Sequence, residues 1–330
     1  MNHWLHGMFT ALVTPFDEDA IDYGALERLV LWQIAQGADG IVVGTATGES
    51  PTLSDSEQEA LCAAARRIAG RHYPVIAAVG SYSTAETVAE IAAAEKAGAS
   101  ALLLRMPYYN RPTQAGLAAH ALAAAEATGL EIILDNDPDR CGVEIAAETL
   151  VQLEGAANIV GILERRGDLA RCDRIARMRD RRFMRLTGAA DTIPAYLLAG
   201  GCGAITSVGN LAPHWLARLE SAARSEFYGQ AQILQRRLLP LLELLACEPD
   251  PVLVKLALSM LHPEVGAACR APLAPPRLEC LPLLCDAIED LPHPLAGMAT
   301  KQRAMARRQP ASPEPAAARL APPRIGGRFP

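Results

Sequence analysis

Eight short apolar runs, each followed by an Ala-rich stretch of helical character, set the tightest limit on what this chain can fold into. They lie at Phe9–Val13, Gly40–Val43, Val75–Val79, Ala101–Leu104, Glu131–Leu134, Ile159–Leu163, Phe183–Leu186 and Ala204–Ser207. Runs such as VIAAV, ALLL and IVGIL are apolar throughout rather than alternating, which is how strands read when both faces of a parallel sheet are covered. Strand and helix in strict alternation call for βα units, and eight of them close into a barrel. The expected fold is therefore α/β, a (βα)8 TIM barrel. Ser54 with Glu57 three residues later predicts a capping box at the start of the helix after the second strand.

Past the eighth strand, Trp215–Ala223, Glu226–Ala246, Pro251–Leu261 and Leu278–Asp290 also read as helices. That is one group more than eight units need, so a C-terminal helical extension is expected. The boundaries are a barrel over residues 1–223, the extension over 224–291, and a Pro-, Ala- and Arg-rich tail over 292–330. With no periodic apolar face to dock, the tail is expected to be disordered.

The formal net charge of −6 and the absence of a dense Lys/Arg stripe before residue 290 remove the electrostatic footprint of a nucleic-acid binder, leaving a small molecule as the expected ligand. Eight scattered cysteines without a CxxC pair or a Cys/His cluster signal neither a disulfide framework nor a metal site, and suit a reducing cytoplasm. The opening MNHWLHGMFTALVTPF lacks the pattern of an export signal, and no apolar stretch is long enough to span a bilayer, so the expectation is a cytoplasmic protein with no membrane contact.

In a (βα)8 barrel the reactive groups sit at the carboxyl ends of the strands. The second strand is followed by Gly44-Thr-Ala-Thr-Gly-Glu-Ser50 and the fourth by Pro107-Tyr-Tyr-Asn-Arg-Pro112. A Gly-flanked threonine loop can aim backbone N–H groups and a hydroxyl at a carboxylate, which makes Thr47 a candidate ligand residue. Arg140, after the fifth strand, can pair a second carboxylate in bidentate fashion. Thr47 can equally cap a turn and Arg140 make a rim ion pair.

These two loops resemble the GTTGES and PYYNRP segments of the dihydrodipicolinate synthase and N-acetylneuraminate lyase family. Thr10–Phe16, Gly203–Val208 and Glu248–Val252 continue the likeness in the same order over residues 7 to about 290. The resemblance implies a pocket for a keto acid such as pyruvate, lined by Thr47, Ala46, Arg140 and the backbone carbonyl of Ile205. It implies no cofactor, and a homotetramer or homodimer in which Tyr108 enters a neighbour's site. Glu86 and Ser81 match the region where lysine inhibits family enzymes, while Tyr82 departs from it.

The same resemblance exposes three breaks at family positions. Family enzymes form a Schiff base through a lysine in a G-I-K-E or G-I-K-D run, and here the text is Gly161-Ile-Leu-Glu164, with Leu163 at the lysine position. The family's L-Y-N-x-P tyrosine is replaced by Asp135, and a relay threonine by Ala46, leaving only Tyr109 of that relay. An aliphatic side chain makes no imine, and an ionised carboxylate is a poor proton donor. The chain holds three lysines, and none of Lys96, Lys255 and Lys301 is expected at a strand's carboxyl end.

Three readings follow. A non-catalytic member would bind a keto acid or another carboxylate, beside an active paralogue. A repurposed enzyme would use Asp135, Asp137 and Glu164 as acid and base or to gather a divalent cation. An ordinary 4-hydroxy-tetrahydrodipicolinate synthase or related keto-acid lyase is what overall likeness alone suggests.

Overall fold

The computed structural model describes residues 3–179, 182–277 and 279–289. Its centre is a closed barrel of eight parallel strands: β1 (Gly7–Ala11), β2 (Gly40–Val43), β3 (Val75–Val79), β4 (Ala101–Arg105), β5 (Ile132–Asn136), β6 (Ile159–Glu164), β7 (Met184–Thr187) and β8 (Gly203–Thr206). Each strand pairs in parallel with its neighbours in sequence, and β8 closes on β1 through Gly7 against Gly203 to Thr10 against Thr206. A two-stranded ribbon at Phe16–Asp17 and Ala20–Ile21 lies outside it.

The apolar residues divide into two layers. Phe9, Ala11, Val42, Ile76, Ala78, Leu103, Ile133, Leu163, Leu186 and Ile205 fill the barrel, while Ile41, Leu102, Leu104, Leu134 and Ile162 pack outward against the helices. This two-sided burial is why the strands read as unbroken apolar runs. Between β5 and β6 the register slips: Ile132 pairs with Ile159, but Ile133 pairs with Gly161, so Val160 is an extra residue. A slip of one residue reverses which face every later side chain takes. Here it turns Ile162 outward and Leu163 into the barrel.

The fourth, sixth, seventh and eighth strands differ from their expected bounds by one residue, and the first and fifth by more, each for a visible reason. The first strand covers Gly7–Ala11 rather than Phe9–Val13, because Val13 N–H donates to the Asn210 side chain (3.1 Å) instead of to a ladder. The fifth strand runs on to Asn136 rather than stopping at Leu134: Asp135 and Asn136 are paired in register with Leu163 and Glu164, and both side chains find buried partners. The capping box forms as expected, with Ser54 N–H donating to Glu57 Oε2 at 2.9 Å.

After β8 come helices Pro213–Arg224, Tyr228–Leu245, Val252–Leu261 and Cys280–Glu289. The expected tail over 292–330 lies outside the described residues.

Candidate functional site at the mouth of the barrel

The carboxyl ends of the strands form a mouth whose floor and walls have different chemistry. Leu163 belongs to the floor: it is 0 % exposed and packs within the interior cluster of Leu103, Ile133, Leu186 and Ile205. Its register partner Asp135 stands beside it on β5. Two residues beyond Leu163, Arg165 closes a bidentate pair with Asp135, Nε donating to Oδ1 at 2.8 Å and Nη2 to Oδ2 at 2.9 Å. Burial works to lower the Arg165 pKa, but Asp135 and Asp137 more than reverse this, so its charge is locked in. The Asp137 pKa is also raised, here by burial, which disfavours its charge and which Arg165 offsets only in part. Asp137 also caps the short helix Pro138–Cys141, accepting from Arg140 N–H at 3.2 Å. Arg140 itself lies half out in solvent, its Nε 3.4 Å from Asp137 Oδ2.

The wall on the opposite side is built by the β2 loop and the C-terminal helices. Thr47 is buried, and its hydroxyl donates to Asp250 Oδ2 at 2.5 Å. Among the described residues no hydrogen bond takes up the backbone N–H groups of Ala46 and Thr47, while Gly48, Glu49 and Ser50 N–H are spent within the loop. Glu49 turns the loop through a left-handed conformation (φ 58°) and forms a buried ion pair with Lys255. Lys255 also donates to Ala268 O (2.7 Å) and lies 4.2 Å over the Phe16 ring, while Arg270 N–H donates to Glu49 Oε2 (2.8 Å). Burial lowers the Lys255 pKa against the pull of Glu49.

The candidate residues are thus only partly gathered. Thr47, Ala46, Asp135, Leu163 and Ile205 lie at or just below the mouth. Tyr109 does not turn inward: its side chain is 92 % exposed on a backbone at φ 68°. Tyr108 is half-buried and makes an edge contact with Tyr82, ring centroids 5.6 Å apart. Glu164 lies on the opposite face of the sheet from Asp135, taking Asn136 Nδ2 at 3.0 Å and Arg171 Nε at 2.9 Å. Asp135, Asp137 and Glu164 therefore make no single cluster, and among the described residues no group of three or more His, Cys, Asp or Glu could hold a metal ion. Lys96 pairs with Glu59 on the surface (2.7 Å). Among the described residues no helix is long and apolar enough to cross a membrane.

Three contributors escaped the sequence reading. Arg165 was legible as a charge but not as the partner of Asp135, although it shares the inward alternation of Leu163. Arg105 ties the ends of β2, β3 and β4 together, reaching Gly44 O (3.2 Å), Gly80 O (3.3 Å) and Ser50 Oγ (3.0 Å). Asp250 lies in the Glu248–Val252 segment of the resemblance, but nothing there announced its contact with Thr47, 203 residues away.

Comparison with known proteins accords with this geometry. The model of the dihydrodipicolinate synthetase family matches residues 4–291. The 4-hydroxy-tetrahydrodipicolinate synthase of Methylobacterium radiotolerans is 42% identical over 274 residues, covering 82% of this chain and 90% of that protein. The solved 4-hydroxy-tetrahydrodipicolinate synthase of Methylacidiphilum fumariolicum SolV superposes with a TM-score of 0.85 at 36% identity, over 91% of this chain and 99% of that one. The chloride-inhibited dihydrodipicolinate synthase of Acinetobacter baumannii, solved with pyruvate, gives 0.84 at 35% identity, over 89% and 99%.

Proposed function

The chain belongs to the dihydrodipicolinate synthetase family, and from that premise we propose that it holds a small keto acid or a related carboxylate at the mouth of its barrel without forming a Schiff base. The observation that carries this reading is the placement of Leu163, at the strand end where the resemblance puts the reactive amine and wholly enclosed by Leu103, Ile133, Leu186 and Ile205. An imine needs a nitrogen nucleophile as its electron sink, and a leucine offers none. Of the two lysines among the described residues, Lys96 sits on a surface helix and Lys255 is committed to Glu49 beneath the C-terminal helices.

Binding has better support than turnover. The unengaged N–H groups of Ala46 and Thr47 suit a carboxylate, and Arg140, half-exposed at the rim and paired with Asp137 at 3.4 Å, adds a cation to the same mouth. Proton transfer is where the site falls short, since Asp135 is clamped by Arg165 in the position the resemblance gives to a tyrosine. Such a protein would act beside an active paralogue, and as a homodimer or homotetramer through the loop that carries Tyr108; light scattering that finds only monomer removes the assembly.

The test is intact-mass spectrometry after incubation with pyruvate and borohydride, which reduces any iminium to a stable adduct. The expected result is an unmodified mass together with thermal stabilisation by a small acid. A stoichiometric adduct on a lysine, or complementation of a diaminopimelate auxotroph, restores the reading as an ordinary synthase or keto-acid lyase.

A further inference from the structure

Asp250 is the group at the mouth that the carboxylate-binding reading leaves unused. Its Oδ2 accepts the Thr47 hydroxyl, whereas its Oδ1 is buried with no hydrogen-bond partner. It borders a cavity of about 450 Å³ between the ends of β7 and β8 and the helix Tyr228–Leu245, lined also by Gly188, Ser207 and Leu242. Arg165 reaches the same border, because a Cβ added to Gly188 would meet Arg165 Cδ at 2.7 Å. The room is ample for a ligand of a few heavy atoms.

Leaving a buried acceptor unsatisfied costs about 1–3 kcal/mol, and more when it is charged. A ligand that brings a donor removes that cost; one that brings only acceptors adds repulsion. Thr47 links the two features, its backbone N–H unengaged and its hydroxyl bonded to Asp250 Oδ2, so an acid held on the Ala46 and Thr47 N–H groups can turn its α substituent toward Asp250. A keto oxygen there accepts and cannot donate. An α-hydroxyl or an α-ammonium donates. Burial raises the Asp250 pKa, while Thr47, Arg140, Arg165 and the nearby Ser207 hydroxyl hold it back.

We propose that the mouth selects small acids with a hydrogen-bond donor on the α carbon, α-hydroxy or α-amino acids, over α-keto acids, and that Asp250 takes that hydrogen bond. The proposal rests on the carboxylate-binding reading and narrows it.

The experiment is calorimetric titration of the full chain with lactate, alanine and pyruvate, repeated on Asp250→Asn, whose amide keeps an acceptor for Thr47 but turns a donor toward the cavity. Lactate or alanine is expected to bind at least tenfold more tightly than pyruvate, and Asp250→Asn to abolish that preference. Tight alanine with weak lactate identifies an ammonium ligand, and the reverse a hydroxyl; either supports the proposal. Pyruvate binding as tightly as both overturns it while leaving the carboxylate reading intact, and no binding by any of the three overturns both. The selectivity of the unaltered protein decides the question even if the variant does not fold.

Discussion

The two sides of the barrel mouth are held by different means. On the β2 side the loop Gly44–Ser50 is braced from behind by the C-terminal extension, through the buried Glu49–Lys255 pair and Arg270, and it keeps polar groups in reserve: two backbone N–H groups and Asp250 Oδ1. On the β5–β6 side the polar groups are spent on one another, Asp135 against Arg165, above an apolar floor that includes Leu163. Polar groups that stand on separate elements can be altered on one side without disturbing the other. The difference also says where each half is vulnerable: the β2 side through its remote brace, the β5–β6 side only through its own pair.

The comparison breaks most visibly if the brace is removed. Lys255→Met leaves Glu49 buried without its cation, and losing one partner of a buried pair costs about 3–5 kcal/mol. Denaturant unfolding measures this directly, and small-acid binding should weaken along with stability, because Glu49 is the left-handed corner that presents Thr47. The double variant Glu49→Gln, Lys255→Met should recover most of the loss. A single variant that unfolds as the unaltered protein does would show that the extension does not hold the loop.

Much of this architecture was legible in the sequence, and what was hidden shares a physical cause. Eight unbroken apolar runs follow from burial on two faces, so the barrel could be counted before it was seen, and the Ser54–Glu57 box is a contact across three residues. The end of β5 was misjudged because Asp135 and Asn136 look like loop residues until Arg165, Glu164 and Ile145 are brought beside them. Leu163 was identified by alignment with a motif, yet its inward aim depends on the bulge at Val160, which nothing in the run IVGILE announces. The Thr47–Asp250 contact spans 203 residues and carries no periodicity at all.

A smaller effect sharpens the β5–β6 side. Arg165→Met strands Asp135 in a mostly buried position and should cost about 2 kcal/mol, the scale of a hydrogen-bonded charge losing its partner. Adding Asp135→Asn should return much of it. The cost should not spread to the β2 loop: Glu49–Lys255 is intact in this variant, so hydrogen exchange at Gly48, Glu49 and Ser50 should match that of the unaltered protein, whereas Lys255→Met should speed it. Equal acceleration in both variants would mean that the mouth yields as one unit and that the division into two sides is only geometric.

The smallest effect has the opposite sign and tests whether the reserve on the β2 side is maintained at a cost. The Asp250 pKa is raised in the folded protein, chiefly by burial, so the folded state holds that proton more readily than the unfolded chain does. The sign follows from linkage: ionising Asp250 is harder in the folded state, so its contribution to stability falls as pH rises from the unfolded carboxylate value near ~4 through its raised folded value, and the deficit is complete above that folded value. Asp250→Asn removes that deficit while keeping an acceptor for Thr47, so its melting temperature should exceed that of the unaltered protein by a few degrees at pH 7. Below the unfolded carboxylate value the carboxyl is protonated in both states, and the advantage should shrink toward nothing. Greater stability joined to lost selectivity for donor-bearing acids is the signature of a group kept for binding at the expense of the fold. A variant that is less stable at neutral pH would instead make Asp250 part of the brace, alongside Lys255, and not a reserve.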